Sequence, residues 1–431
     1  MERRDVALIA VLLFVPLAGQ ANPPEYLAGS REPADNASEL ASPLEEITLQ
    51  PAGWRLVNFV NEPFLRDSIF SLQPRFYYRY LDDGKGLHDA FAAGGEVMFT
   101  TGWWRDILQL GIAGYTSQPL ATPHDPGGTT LLRPNGDGFS VLGQSYAKLK
   151  LDPVTVTLFR QEMDLPFING DDTFMIPNTF EAYRLDVTPS DIVRFGFAYV
   201  SQEKTRNSAE FRPMSEVAGV SGVDRGTSVA GLVIGSNKAA YIGAINELTW
   251  DLFNTAYAEA GQTWQISDDL QLRGQLQLVD QRSVGTELLG AFATQLYGTS
   301  FTASYRNAII TLAFTSIADG SKVLRPFGGT PSFNALMISK FDGAGEDTFR
   351  VGLSYDFARL GLNGLKAFAN YAHGELPAGQ HEEEFDVTAD YRIADGQLRN
   401  LWLRVRFGRN SASNRAVTDD LRVILNYTFT F

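Results

Sequence analysis

Arg404 and Arg406 stand two residues apart in Leu401–Phe407, and Arg422 stands between Leu421 and Val423 near the C-terminus. A guanidinium keeps its charge and grips a carboxylate through parallel donors in a fixed fork. On an extended strand, residues two apart point the same way. Arg404 and Arg406 therefore share a face opposite Leu401, Leu403, Val405 and Phe407, and Arg422 takes the polar face of the next strand. A row of such groups offers an anionic solute successive weak sites that it can enter and leave. Arg350 and Arg273 hold similar positions opposite apolar residues and extend the candidate row. The plainer reading of the same arginines is a solvated wall paired with acids for stability.

A second group lies in Glu162–Asn178, where Asp164, Asp171, Asp172 and Phe174 are interspersed with Pro166, Gly170 and Pro177. Proline and glycine fix turns here rather than a strand, so the acids fall on a long ordered connection. Catalytic and metal chemistry find little support. The four histidines (His88, His124, His373 and His381) fall at connections or strand ends, no G-x-S-x-G elbow occurs, and there is no cysteine. Asp342–Asp347 lacks the spacing of a calcium loop, and His381 with Glu382–Glu384 reads as a solvated charge run. No cofactor, no metal and no catalytic residue is expected, and a Ser-His-acid cluster assembled across loops, as in an outer-membrane hydrolase, is the remote alternative.

The elements that position these residues are strands. Leu270, Leu272, Leu276 and Leu278 oppose Gln271, Arg273, Gln275 and Gln277. The alternation recurs in Val193–Val200, in Phe349–Phe357 and in Leu401–Phe407. Inward Arg and Gln on strand after strand would ruin a sandwich core, but they suit a closed barrel with lipid outside and water inside. Beyond the N-terminus no apolar run approaches the about 20 residues of a spanning helix. Short connections (Asp152-Pro153, Thr188–Asp191, Ser236-Asn237, Ser267–Asp269, Arg306-Asn307, Ala394–Gly396) alternate with long ones (Leu81–Ala93, Ser117–Phe139, Glu162–Asn178, Gln202–Gly226, Ile317–Pro331). The pattern predicts an all-β, transmembrane antiparallel barrel of roughly 18 strands over 67–431. In the last strand Leu421, Val423, Leu425, Tyr427, Phe429 and Phe431 form the lipid face, and this strand is expected to close the barrel and, through Phe431, to engage the barrel-assembly machinery.

Ahead of the barrel, Arg3 and Arg4 precede the apolar stretch Val6–Ala18, and Gly19-Gln20-Ala21 has the small residues of a signal-peptidase site. Residues 1–21 read as a cleaved signal peptide. Residues 22–66 begin with a proline- and acid-rich stretch that cannot bury enough apolar surface to fold alone, and read as a flexible arm. The net charge of -14 argues against nucleic acid as a partner.

Four stretches make the sequence resemble the OprD-like family of substrate-specific outer-membrane porins: FLRDSIFSLQPRFYYRYLDDG (Phe64–Gly84), RQEMDLPFINGDDTFMIPNTFEAYRL (Arg160–Leu185), FDGAGEDTFRVGLSYDFARLGLNGLKAFANYAHG (Phe341–Gly374) and LRNLWLRVRFGRN (Leu398–Asn410) with the final strand. The resemblance implies an 18-stranded monomeric barrel in the outer membrane of a Gram-negative bacterium, with lipid and lipopolysaccharide outside. It implies a third loop folded inward as a constriction, here Glu162–Asn178. It also implies a basic ladder guiding carboxylate-bearing nutrients such as amino acids, short peptides and aromatic or other organic acids, here Arg404, Arg406 and Arg422. Where the family loop often carries an Arg this chain has Phe174, which removes a fixed cation from the eyelet and favours an aromatic contact. The expected activity is passive, selective uptake of small polar solutes, the alternative being a general diffusion porin. From the cleavage motif, mass spectrometry of outer-membrane material should find Asn22 at the mature N-terminus; retention of 1–21 would refute this.

Overall fold

Alternating apolar and polar residues become alternating outward and inward side chains wherever a sheet separates lipid from an enclosed interior. The computed structural model describes residues 63–396 and 398–431. The expected signal peptide and nearly all of the expected arm lie outside the described residues; the end of the arm, Pro63–Arg66, forms one helical turn.

The strands in chain order begin with β1 (Ile69–Asp82), β2 (Leu87–Thr100), β3 (Leu108–His124), β4 (Phe139–Leu151), β5 (Val154–Gln161) and β6 (Thr179–Ser190). There follow β7 (Val193–Lys204), β8 (Thr227–Gly235), β9 (Ala240–Thr249), β10 (Phe253–Ser267), β11 (Leu270–Ser283) and β12 (Ala293–Tyr305). The last are β13 (Ala308–Ile317), β14 (Asp347–Asp356), β15 (Leu365–Leu376), β16 (Gln380–Arg392), β17 (Trp402–Ala412) and β18 (Arg415–Asn426). Two further extended pieces do not span: Phe211–Pro213 pairs with the end of β7, and Phe429–Thr430 continues β18. The 18 strands pair antiparallel in sequence order, and β18 returns to β1 with Arg75 opposite Asn426, Arg79 opposite Arg422 and Asp82 opposite Asp419. The closed antiparallel 18-strand barrel is the architecture the alternation predicts.

The outward face follows the sequence pattern. Leu276, Leu278, Phe197, Tyr199, Phe349, Val351 and Leu353 are exposed outward, and Leu403 and Val405 flank inward Arg404 and Arg406. The connections depart from expectation. Leu81–Ala93 is not a long loop, because β1 and β2 extend to Asp82 and from Leu87 and leave only Asp83–Gly86 between them. Ser117–Phe139 loses its first part to β3, which continues to His124. The short turn expected at Ala394–Gly396 belongs to the longer connection 393–401. In the first two cases polar residues that look like turn formers continue the strands, because pairing, a tertiary effect, decides the boundary. The long connection expected at Ile317–Pro331 runs instead over 318–346.

The seam between first and last strands ends on Phe431. The Phe70 amide donates to the Phe431 carbonyl at 3.1 Å, and the Phe431 amide donates to the Phe70 carbonyl at 2.8 Å. The Phe431 ring lies 5.9 Å from that of Phe70 and stacks on Phe429 at 6.4 Å. Deleting Phe431 removes both bonds and the ring contacts, roughly 3 kcal/mol at the site of closure. The truncated chain should therefore be exported but assemble poorly, seen as loss of the heat-modifiable folded band in outer-membrane fractions. A normal folded yield would show that the seam does not depend on this residue.

Candidate functional site

The barrel interior is not uniformly wet. The connections 162–178 and 318–346 pack against its inner wall. Met163, Leu165, Phe167 and Ile168 of the first, with Val323 and Phe327 of the second, bury against Phe180, Ala182, Val200, Val229, Ile245, Tyr257, Val279, Leu296 and Ile317. These wall residues come from β6–β13, so that half of the interior is a packed apolar core. A loop entering a barrel needs both dry contacts for its side chains and partners for its backbone.

The backbone partners are inward polar residues of the strands. Gln281 binds Leu324 in both directions, donating to its carbonyl at 2.9 Å and accepting from its amide at 2.7 Å. Gln277 donates to the Pro331 carbonyl at 2.7 Å. Glu384 accepts from the Ile338 and Ser339 amides at 2.7 and 2.5 Å. Glu247 accepts from the Phe167 amide at 3.3 Å. Asn169, 2% exposed, joins the two loops. Its amide donates to Phe327 O at 3.1 Å, its Nδ2 donates to Gly329 O at 3.2 Å, and its Oδ1 accepts from the Gly329 amide at 2.8 Å. Gly328, at φ +134°, lies so close to Asn169 that a Cβ there would meet Oδ1 at 2.5 Å.

The charged half lies on β16, β17, β18 and β1. Register sets Tyr77, Ile424, Arg404 and Asp390 in one row. The next row is Arg79, Arg422, Arg406 and Thr388. Arg75 lies two residues below Tyr77, opposite Asn426. Each step is two residues, about 7 Å of strand, so five arginines climb three levels on three neighbouring strands. Arg404 forks onto Asp390 at 2.7 and 2.9 Å. Arg79 and Arg422 share Asp420, at 2.6 and 2.9 Å. Arg406 donates to Thr388 Oγ1 at 3.2 Å.

The arginines proposed from sequence thus separate. Arg404, Arg406 and Arg422 come together. Arg350 pairs in register with Ala372, whose row leads to Asn410 rather than Arg406. Arg273 stands on β11 beside Tyr241, with Nη2 at 3.4 Å from its hydroxyl. Arg406 and Arg422 are only 1% and 2% exposed, and Arg422 Nη2 donates to the Met337 carbonyl at 3.2 Å, so loop 318–346 lies over them. This differs from the open, wet placement that alternation alone suggests. Arg75 and Arg79 escaped the sequence reading although they alternate with Phe76, Tyr78 and Tyr80. The expected closure of the last strand onto the first was the signal that could have found them.

The acids of 162–178 do not face the arginines across a gap. Asp172 pairs directly with Arg75 at 2.6 Å and is half exposed. Asp171 pairs with Arg206, from the connection after β7, at 2.6 Å. Asp164 bridges to Asn169 within the loop. Exposed Glu162, not singled out before, accepts from Tyr115 at 2.7 Å and Gln144 at 3.0 Å. Phe174 lies with Arg79, Arg422 and Arg206 all within 5.3 Å of its ring centre. Among the described residues no group of three or more His, Cys, Asp or Glu could hold a metal ion.

Comparison with known proteins gives the family and the fold. A family model for the outer membrane porin, OprD family, matches residues 62–431, and the chain belongs to that family. It is therefore an outer-membrane porin of the Gram-negative type. A crystal structure of OpdK from Pseudomonas aeruginosa with vanillate has a TM-score of 0.77 at 23% identity, covering 85% of this chain and 100% of that one. OccK9 (OpdG) of the same organism gives 0.79 at 24%, covering 86% and 100%. A BenF-like porin from Pseudomonas fluorescens Pf-5 gives 0.77 at 19%, covering 85% and 100%. At these identities the likeness shows the fold. No curated relative matches the sequence.

Since Asn169 ties the two inward loops by side chain and backbone, Asn169→Leu should leave the part-buried Gly329 amide and carbonyl without these partners. The cost is about 1–3 kcal/mol. The barrel should still form, while single-channel records gain frequent current steps as the loops separate. Quiet wild-type-like traces would show that apolar packing alone holds them.

Proposed function

We propose that this OprD-family porin carries out passive, selective uptake of small polar solutes bearing a carboxylate, with no catalytic step. The observation that carries the reading is the climb from Arg75 through Arg404 to Arg79, Arg422 and Arg406 on three adjacent strands. Such a ladder lowers the cost of bringing an anion through a narrow, weakly screened passage. The OpdK structure with vanillate bears on the solute, vanillate being an aromatic carboxylate. The route for solutes runs along the charged half of the interior, because the β6–β13 half is packed with apolar loop residues.

One observation favours the alternative, a general diffusion pore. Arg404, Arg75 and the Arg79–Arg422 couple each have a carboxylate partner, in Asp390, Asp172 and Asp420. A neutralised wall attracts anions less than five isolated cations would.

The double substitution Arg404→Ala with Arg406→Ala separates these readings, because it subtracts two positive charges and leaves Asp390 behind. The reversal potential in a KCl gradient should move toward cations, and block of the ionic current by carboxylate solutes should weaken by about tenfold, the equivalent of one lost charge-assisted contact. Unchanged ion selectivity and unchanged block, with folding intact, would leave the general diffusion pore.

A further inference from the structure

The structure assigns Phe174 as a cover over the arginine row, and thereby as a specificity-determining residue: an anion reaches Arg79 and Arg422 by taking the place of its ring. The inference needs only that ions pass this constriction, and stands apart from the carboxylate reading above.

Three guanidinium groups lie near the ring. Its centre lies 5.3 Å from the Arg79 guanidinium carbon on β1, 5.2 Å from that of Arg422 on β18, and 4.2 Å from that of Arg206 beyond β7. All three distances fall within the about 6 Å over which a ring quadrupole attracts a cation. The same loop stretch is fixed through its backbone. Arg75 Nη1 donates to the Phe174 carbonyl at 2.5 Å and to the Met175 carbonyl at 3.3 Å, and the Tyr77 hydroxyl donates to the Thr173 carbonyl at 3.0 Å. The backbone is thus anchored to β1 while the side chain remains only partly buried. Side-chain rotation can move the ring without breaking those bonds.

The consequence is a competition. A ring contacts a guanidinium through its face and offers no lone pair, so its hold is weaker than that of a charge-assisted hydrogen bond to a carboxylate. An anion can displace the ring; a neutral aromatic of the same size offers only what Phe174 already supplies. The ring also lies against both members of the Arg79–Asp420–Arg422 couple, so it screens the positive side of that couple from the lumen while it is seated.

Planar-bilayer recordings of Phe174→Ala, Phe174→Leu and Phe174→Trp test this, with benzoate as the anionic probe and benzyl alcohol as its neutral counterpart. Heat-modifiable migration confirms folding; the position is on a loop, so the strand ladders are untouched. In KCl alone, the alanine and leucine variants should both shift the reversal potential toward anions, while tryptophan, the stronger cation–π partner, should stay near wild type. Benzoate block should tighten by about tenfold in the alanine and leucine variants, the factor that corresponds to removing roughly one such contact. Block by benzyl alcohol should not tighten. A leucine variant indistinguishable from wild type in KCl would reduce the ring to bulk and overturn the inference, as would an alanine variant without a shift. A shift in KCl with no benzoate block in any variant would keep the cover and remove the carboxylate reading.

Discussion

Within hydrocarbon no backbone amide or carbonyl can be left unpaired, and this requirement governs the whole molecule. It makes the strands pair antiparallel in sequence order and makes β18 return to β1, since an open edge in lipid would expose a row of unmet donors and acceptors. Closure then has a chemical result far from the lipid. Residues separated by most of the chain become neighbours, and Arg79 meets Arg422 and Asp420 only because the first and last strands are adjacent. The β1 members of the arginine group, Arg75 and Arg79, join Arg404, Arg406 and Arg422 only through the seam.

The same requirement operates inside. Long connections, 162–178 and 318–346 among them, enter the barrel, and their peptide groups must be satisfied there. Gln277, Gln281, Glu247, Glu384 and Asn169 meet that need through side chains directed at loop backbone. Inward polar residues in this barrel therefore first hold loops and only second face a solute. The apolar inward residues of β6–β13 are explained alongside them, since the loop side chains must bury somewhere. An interior divided into an apolar half and a charged half leaves β1, β17 and β18 as the side along which the proposed route runs.

The barrel was legible because strand periodicity is local: Leu276 and Leu278 outward against Gln275 and Gln277 can be read without knowing any neighbour. Strand ends were less legible. Asp82 and Asp89 look like turn residues, yet pairing with Asp419 and with the end of β3 keeps them extended. Arg404, Arg406 and Arg422 could be grouped from parity on adjacent strands. The separation of Arg350 and Arg273 from them could not, because it depends on register summed over several strand pairs. Least legible was loop 318–346. Nothing in its composition says that it folds inward, and the bond from Arg422 to the Met337 carbonyl that brings it over the arginines forms in three dimensions.

The pairing of the arginines also bears on how tightly a solute can be held. Asp420 is fully buried between Arg79 and Arg422. An anion that displaced it would leave a buried carboxylate without partners, at a cost of about 3–5 kcal/mol, more than one charge-assisted contact returns. On the carboxylate reading proposed above, a passing anion would therefore join each Arg–Asp pair at its edge rather than replace the acid. Such a mode gives shallow wells, and shallow wells repeated at steps of about 7 Å are what rapid transit needs, since a deep one would trap the solute. The net charge of -14 does not oppose this. Exposed charges are screened beyond about 8 Å at physiological salt, whereas the proposed ladder would act at contact distance inside a confined passage.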